Sequence, residues 1–283
     1  MEWLNRMENA LEWIESRLAE PLSIEEIAAA AFTSPFHFQR MFNFITGMTV
    51  AEYIRNRRLT LAARELALSG VRVVDVALKY GYDTPESFAK AFRRLHGITP
   101  TEARRPGATL RAFPRLSFQL SLKGDKPMDY RLEQKGRFTV VGKPLRTRQE
   151  GGENFREIPR FWETCGKDGT TERLMALARP EAPMLGICTD FDMPKGEFTY
   201  LVAVEAPAEK ADPARGFESR EIPAATWAVF TTILPEIHKT WQRIFQEWFP
   251  ASGYEHADGP ELEVYVMDGD EMKCEIWIPV VKT

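Results

Sequence analysis

Ala31-Phe32-Thr33-Ser34-Pro35-Phe36-His37-Phe38-Gln39-Arg40-Met41-Phe42, followed by Gly47-Met48-Thr49 and Glu52, is one of two matching stretches that decide the fold of the first hundred residues. The other is Gly81-Tyr82-Asp83-Thr84-Pro85-Glu86-Ser87-Phe88-Ala89-Lys90-Ala91-Phe92, followed by Gly97-Ile98-Thr99 and Glu102. Phe32/Tyr82, Phe38/Phe88, Phe42/Phe92, Gly47/Gly97, Thr49/Thr99 and Glu52/Glu102 are each 50 positions apart, so one small unit is built twice. Both copies carry the same punctuation. Ser34-Pro35 and Thr84-Pro85 each supply an N-cap and then a proline where the helix needs no N–H, and Gly47 and Gly97 end the helices.

Working outward, Leu4, Met7, Leu11, Ile14 and Leu18 recur at helical spacing over 3–19, and Pro21 closes that run. Ser23 with Glu26 forms a capping box that opens a helix from Ile24 to Ala30. Helices are expected over about 35–45, Val50–Leu68, Val73–Lys79 and Pro85–His96, with a last short one after Thr99-Pro100. Short helix, tight turn and second helix make a helix-turn-helix, whose second helix can lie in the major groove. In the first copy Phe38, Met41, Phe42 and Ile45 form the inward stripe, which leaves Phe36, His37, Gln39, Arg40 and Asn43 outside it. In the second copy Phe88, Ala91, Phe92 and Leu95 point inward, and Glu86, Ser87, Ala89, Lys90 and Arg93 remain outward. Gln and Arg suit bidentate reading of adenine and guanine edges.

With 283 residues, 44% of them hydrophobic and 28% charged, the composition is that of a soluble globular protein with room for two domains. It contains no apolar run near the ~18 residues of a membrane span. The acidic N-terminal stretch argues against an export signal. The scattered Cys165, Cys188 and Cys274 point to a reducing cytoplasm and away from zinc; no metal or cofactor is expected. The net charge of −4 divides unevenly, with residues 1–127 at +4 and residues 128–283 at −8. That asymmetry fits one part that meets a polyanion and one that does not.

Residues 1–105 resemble the DNA-binding domain of the AraC/XylS regulators. The resemblance is carried by Pro21-Leu22-Ser23-Ile24-Glu25-Glu26-Ile27-Ala28, Ser34 to Phe42, Tyr53-Ile54-Arg55-Asn56-Arg57-Arg58-Leu59, Val76 to Tyr82, Phe88 to Arg94 and Gly97-Ile98-Thr99-Pro100. It implies two helix-turn-helix units in adjacent major grooves, about 34 Å apart. Base contact would then fall on Phe36, Gln39 and Arg40 in the first unit and on Pro85, Glu86, Ser87, Ala89 and Lys90 in the second. Pro85 and Ala89 can donate nothing, so the first helix is expected to carry most of the readout, with Lys90, Arg93 and Arg94 positioning the second. Arg55, Arg57 and Arg58 are either phosphate contacts or a solvated face. The resemblance also implies double-stranded DNA and RNA polymerase as partners.

Residues 107–127 read as a linker containing one strand, in which Leu116, Phe118, Leu120 and Leu122 alternate with polar residues and which docks on the next domain. From 128 to 283 strands dominate, in the order β-β-α-β-β and again β-β-α-β-β. Ala182-Pro183-Met184-Leu185 echoes Gly259-Pro260-Glu261-Leu262, and 197–204 echoes 273–280. The expected architecture is therefore multidomain: an all-α double helix-turn-helix domain over 1–106, then an α+β domain over 128–283. Met128-Asp129-Tyr130-Arg131, Val140-Val141-Gly142 and Cys274-Glu275-Ile276-Trp277-Ile278-Pro279-Val280 make that second domain resemble the GyrI-like effector-binding domain of Rob-type regulators. The resemblance implies a cleft for a small aromatic, often cationic, molecule.

Strand alternation puts Glu275 with Trp277 on one face of their strand, and Glu263 with Tyr265 on one face of theirs. A carboxylate among aromatic rings suits an organic cation. Glu275, Trp277, Tyr265 and Glu263, with Tyr200, Trp162 and Trp227 as further walls, are the candidate ligand-binding residues. The reading is a DNA-binding regulator controlled by an effector. Its rivals are a GyrI-like hydrolase using Glu275 as general base, and a constitutive DNA-binding protein whose second domain contacts other proteins.

Overall fold

Ser23 accepts a hydrogen bond from the Glu26 N–H while the Glu26 carboxylate turns back to the Ser23 N–H, so the capping box closes as its spacing predicts. The computed structural model describes residues 2–117, 127–149, 152–179, 182–268 and 271–282. Its helical part contains α1 (Glu2–Ser16), α2 (Ile24–Ala30), α3 (Pro35–Thr46), α4 (Val50–Leu68), α5 (Val73–Lys79) and α6 (Pro85–His96). Thr84 caps α6 through its hydroxyl, and Gly97 ends it at φ 78°, a left-handed turn that glycine tolerates without strain. Phe88 and Phe92 enter a core with Leu59, Ala62, Leu66, Val76 and Tyr80, which holds α4, α5 and α6 together.

By contacts the chain divides into two compact units, Met1–Phe38 with Val50–Ser121, and Gln39–Thr49 with Leu122–Thr283. The last turns of α3, from Gln39, thus belong with the C-terminal residues. In the first unit Arg57 and Arg58 have structural partners, contrary to both readings offered for them. Arg57 clamps the Glu15 carboxylate at 2.8 Å through two nitrogens and donates to the Phe113 carbonyl. Arg58 donates to the Leu18 and Glu20 carbonyls just beyond α1, which no intrahelical N–H satisfies. The segment after α6 does not form a strand over 107–117. The Phe113 N–H bonds Thr60 and the Leu116 N–H bonds the Tyr53 hydroxyl, so this stretch packs on the helices. The rest of the expected strand, from Phe118, lies outside the described residues.

The second unit is built on one antiparallel sheet. Its strands are β1 (Tyr130–Lys135), β2 (Phe138–Arg148), β3 (Met184–Asp192), β4 (Glu197–Glu205), β5 (Glu218–Ile222), β6 (Ala225–Ile233), β7 (Tyr254–His256), β8 (Glu261–Asp268) and β9 (Glu271–Lys282). Helices α7 (Glu153–Lys167) and α8 (Thr170–Met175) precede β3; α9 (Ile237–Arg243), a π-turn (Ile244–Trp248) and α10 (Phe249–Ser252) follow β6. Strand order is β1-β6-β9-β8-β3-β4-β2-β5, with β7 added to β9. The two expected repeats are present and their first strands are exchanged: β1 pairs with the second repeat and β5 with the first. The order reads the same from either end, so the centre of the pseudo-symmetry is the β3–β8 pair.

One face of the sheet carries Val141, Phe198, Tyr200, Val202 and Val204, packed with Cys165 of α7 and Leu174 of α8. The other face carries Val140, Leu185, Leu201, Trp227, Val229, Leu262, Val264 and Trp277. The short α8, α10 and β7 had no strong sequence signal. Among the described residues, no helix is long and apolar enough to cross a membrane.

Candidate functional site

On β8, alternation turns Glu261, Glu263 and Tyr265 to the helical face while Leu262 and Val264 join the opposite core. These three residues floor a cleft of about 1270 Å³. Its walls are Phe155, Ile158 and Trp162 from α7, Phe191 from β3 and Trp241 from α9, with Arg40, Asn43 and Phe44 from the last turns of α3. The cleft therefore sits over the β3–β8 pair, at the centre of the repeat symmetry.

Glu263 is its polar focus. One carboxylate oxygen accepts from the Tyr200 and Tyr265 hydroxyls, each at 2.8 Å, and the other accepts from the Trp241 indole N–H at 3.0 Å. The Trp162 indole N–H donates in turn to the Tyr200 hydroxyl at 2.9 Å. Burial, together with the Glu263 charge, pushes both phenols far above their ordinary range, so they remain donors. No Lys, Arg or His among the described residues pairs with Glu263: its charge is solvated by neutral donors and ringed by aromatics. Gly186 lies directly opposite Glu263 on β3, and a Cβ there would overlap the Tyr200 hydroxyl. Only glycine leaves room for this arrangement.

The second carboxylate of the floor, Glu261, is paired. It is 2% exposed and accepts from Arg40, itself 2% exposed, and from His256 Nε2 at 2.8 Å. Burial pushes the Glu261 carboxyl upward, but the Arg40 charge and the His256 hydrogen bond outweigh it and hold the group below its usual range.

Several candidate residues lie elsewhere. Glu275, Trp277 and Trp227 do not line the cleft. In the β8–β9 register Glu263 faces Ile276 and Val264 faces Glu275, and directly opposed residues share a face. Glu275 and Trp277 are thus on the other side of the sheet. There Arg131 clamps Glu275 at 2.8 and 2.9 Å and holds its carboxyl below its ordinary range. Trp227 and Trp277 meet edge to face in that core. Tyr200, Trp162, Glu263 and Tyr265 are brought together. Sequence reading missed Trp241 as a wall, and also Gly186, Glu261, His256 and the contribution of α3. The same alternation that exposed Glu263 could have found Glu261, two residues earlier on its strand.

On α6 the residues Pro85, Glu86, Ser87, Lys90, Arg93 and Arg94 are exposed and Ala89 half-buried, a polar face open along the helix. On α3, Phe36 and Gln39 are half-buried. His37, expected outward, is buried, and so is Arg40. The expectation that α3 carries most of the readout does not fit this conformation, because the guanidinium of Arg40 is held by Glu261.

Residues 131–280 match the model of the family described as integron-associated effector binding protein, and residues 27–106 match a helix-turn-helix domain. The chain belongs to the integron-associated effector binding protein family. Its N-terminal part is an AraC-type DNA-binding domain, and the whole is a transcription regulator carrying a GyrI-like effector-binding domain. The transcriptional activator AarP of Providencia stuartii is 45% identical over 91 residues, 32% of this chain and 67% of AarP. The right origin-binding protein of Escherichia coli K12 is 38% identical over 105 residues, 37% of this chain and 36% of that protein. Among solved structures, SAV2435 bound to tetraphenylphosphonium aligns with 54% of this chain and 94% of its own at 22% identity and a TM-score of 0.47.

Proposed function

We propose that the effector is an aromatic organic cation, taken into the cleft with Glu263 as its counter-charge and Trp162, Tyr200, Tyr265 and Trp241 around it. The observation that carries this reading is a carboxylate accepting three hydrogen bonds from neutral donors, with no cation beside it among the described residues. An anion so placed in a ring-lined cleft gains most from a ligand that brings positive charge and apolar surface together. In this reading DNA is met through Lys90, Arg93 and Arg94 on the open face of α6, and through α3 when its polar residues are free. Contact with RNA polymerase belongs to the same reading, in keeping with the activator among the relatives. In this reading the cleft binds its ligand rather than turning it over, since both Glu263 oxygens are already engaged by hydrogen-bond donors.

Isothermal titration of the full chain with tetraphenylphosphonium tests the effector site. Binding is expected, and Glu263→Gln should weaken it at least about tenfold, the equivalent of one desolvated charge contact. Equal affinity in the variant would overturn the assignment. Footprinting at about 100 mM salt tests the DNA side, where a protected site of about two helical turns is expected.

A further inference from the structure

We infer that the cleft carries a built-in ligand, the Arg40 side chain with Phe44 beside it, and that an aromatic cation spanning the cleft floor displaces it from Glu261. This rests on the effector reading above and adds its regulation. The Arg40 guanidinium lies 4.6 Å from the Phe191 ring centre, 4.9 Å from Phe44 and 5.6 Å from Phe245, with Glu261 as its anion. Phe44 stacks on Phe245 at 3.9 Å and on Trp241 at 6.0 Å, and Trp241 is the residue that donates to Glu263. A delocalised cation among rings, anchored by a buried carboxylate, is what the cleft offers a ligand. Here the protein supplies one from its own α3.

The occupant fits imperfectly, which makes it replaceable. Arg40 Nε, Arg40 Nη2 and His256 Nε2 all converge on the same oxygen of Glu261, so the two-pronged pairing that a guanidinium and a carboxylate can form is not made. Arg40 Nη1 is buried without a hydrogen-bond partner among the described residues. An unsatisfied buried donor is a standing cost that release of the side chain removes.

The consequence follows from position. Arg40 is one of the residues to which the AraC/XylS resemblance carries base contact, and it cannot reach a base edge while buried against Glu261. A ligand cation paired with Glu261 and Arg40 paired with Glu261 exclude each other, so a ligand whose charge reaches Glu261 as well as Glu263 shifts the population toward the state in which Arg40 is free for DNA.

Two measurements on the full chain test this, with tetraphenylphosphonium as the probe. In titration, Arg40→Met keeps the side-chain volume and removes the competing cation. Affinity should rise about tenfold or more if the occupied state is at least about 90% populated. In the unmodified protein, phenylglyoxal should leave Arg40 unmodified without the probe and label it, read by mass spectrometry, when the probe is saturating. Unchanged or weaker binding by Arg40→Met, or protection of Arg40 that persists at saturation, overturns the built-in ligand while Glu263→Gln still loses binding. Failure of the unmodified protein to bind the probe overturns the effector reading beneath it. Should Arg40→Met not fold, the labelling experiment decides alone.

Discussion

Replacing Gly186 by alanine tests the geometry of the cleft floor most directly. The added Cβ would lie 2.8 Å from Tyr200 Cζ and 3.0 Å from Glu263 Oε2, and nearer still to the Tyr200 hydroxyl. Tyr200 is fully buried, with its ring among Phe198, Val202 and Cys165, so it cannot swing outward to make room. Forcing a methyl group into a packed site costs about 1–3 kcal/mol. The displaced hydroxyl also leaves the Glu263 carboxylate, and a hydrogen bond to a charged group contributes about 1.5–3 kcal/mol. Gly186→Ala should therefore lower the stability of the C-terminal unit by about 3–5 kcal/mol. For a body of about 150 residues that is a fall in Tm of roughly 10 °C. Urea unfolding followed by tryptophan fluorescence measures it, and titration with tetraphenylphosphonium should show binding lost in parallel. A cycle with Tyr200→Phe separates the two contributions. Without the hydroxyl the alanine meets one atom fewer, so the two changes should couple by at least about 1 kcal/mol. A Gly186→Ala protein within about 0.5 kcal/mol of the parent that still binds the probe would refute the placement of Tyr200 over Gly186, and with it the account of Glu263.

Four further outcomes are expected. Glu275→Gln should leave affinity for the aromatic cation unchanged, since Glu275 lies across the sheet from the cleft; a half-exposed pair with Arg131 contributes at most about 1 kcal/mol to stability, which urea unfolding can read. Lys90→Ala should weaken DNA binding across all sequences and reduce the slope of log affinity against log salt by about 1, measured by fluorescence anisotropy. Arg58→Ala should leave that slope alone and instead destabilise the helical unit by about 1–3 kcal/mol, because the Leu18 and Glu20 carbonyls lose their donor. Glu15 gives a pH dependence. Burial raises its carboxyl, but the Arg57 and Tyr53 hydrogen bonds bring it below the ordinary 4.5, so it binds fewer protons folded than unfolded. Its stabilisation is complete above 4.5 and is lost as pH falls through the lower folded value. Glu15→Gln should flatten the acid limb of the stability curve.

Local chemistry was legible where neighbours in sequence decide it. The caps Ser23 and Thr84, the prolines after Ser34 and Thr84 and the stop at Gly97 define α2, α3 and α6 without help from the rest of the chain. The alternation of β8 showed which of its side chains share a face. What alternation cannot supply is the phase between strands. Glu275 and Glu263 were placed together because each sits among aromatics on its own strand, yet the β8–β9 pairing sets Glu263 against Ile276, and one residue of register reverses a face. Arginines were the other blind point. Arg57 and Arg58 stand in a basic run that reads as a phosphate contact, and their carbonyl and carboxylate partners are about 40 residues away in the chain.

Arg40 combines both difficulties and carries the functional argument furthest. As a helix surface residue beside Gln39 it reads as a base contact; as the neighbour of Glu261 it is a buried ion pair, 221 positions apart in sequence. Breaking a buried pair by deleting one partner costs about 3–5 kcal/mol, because the remaining charge is left uncompensated; a ligand cation that takes the place of Arg40 at Glu261 compensates it. A ligand bringing its own positive charge into the cleft therefore meets a much smaller barrier to freeing α3 than a mutation that empties the site. On the proposed displacement both carboxylates of the floor serve the ligand: Glu263 has no Lys, Arg or His beside it among the described residues, and Glu261 exchanges Arg40 for the incoming charge.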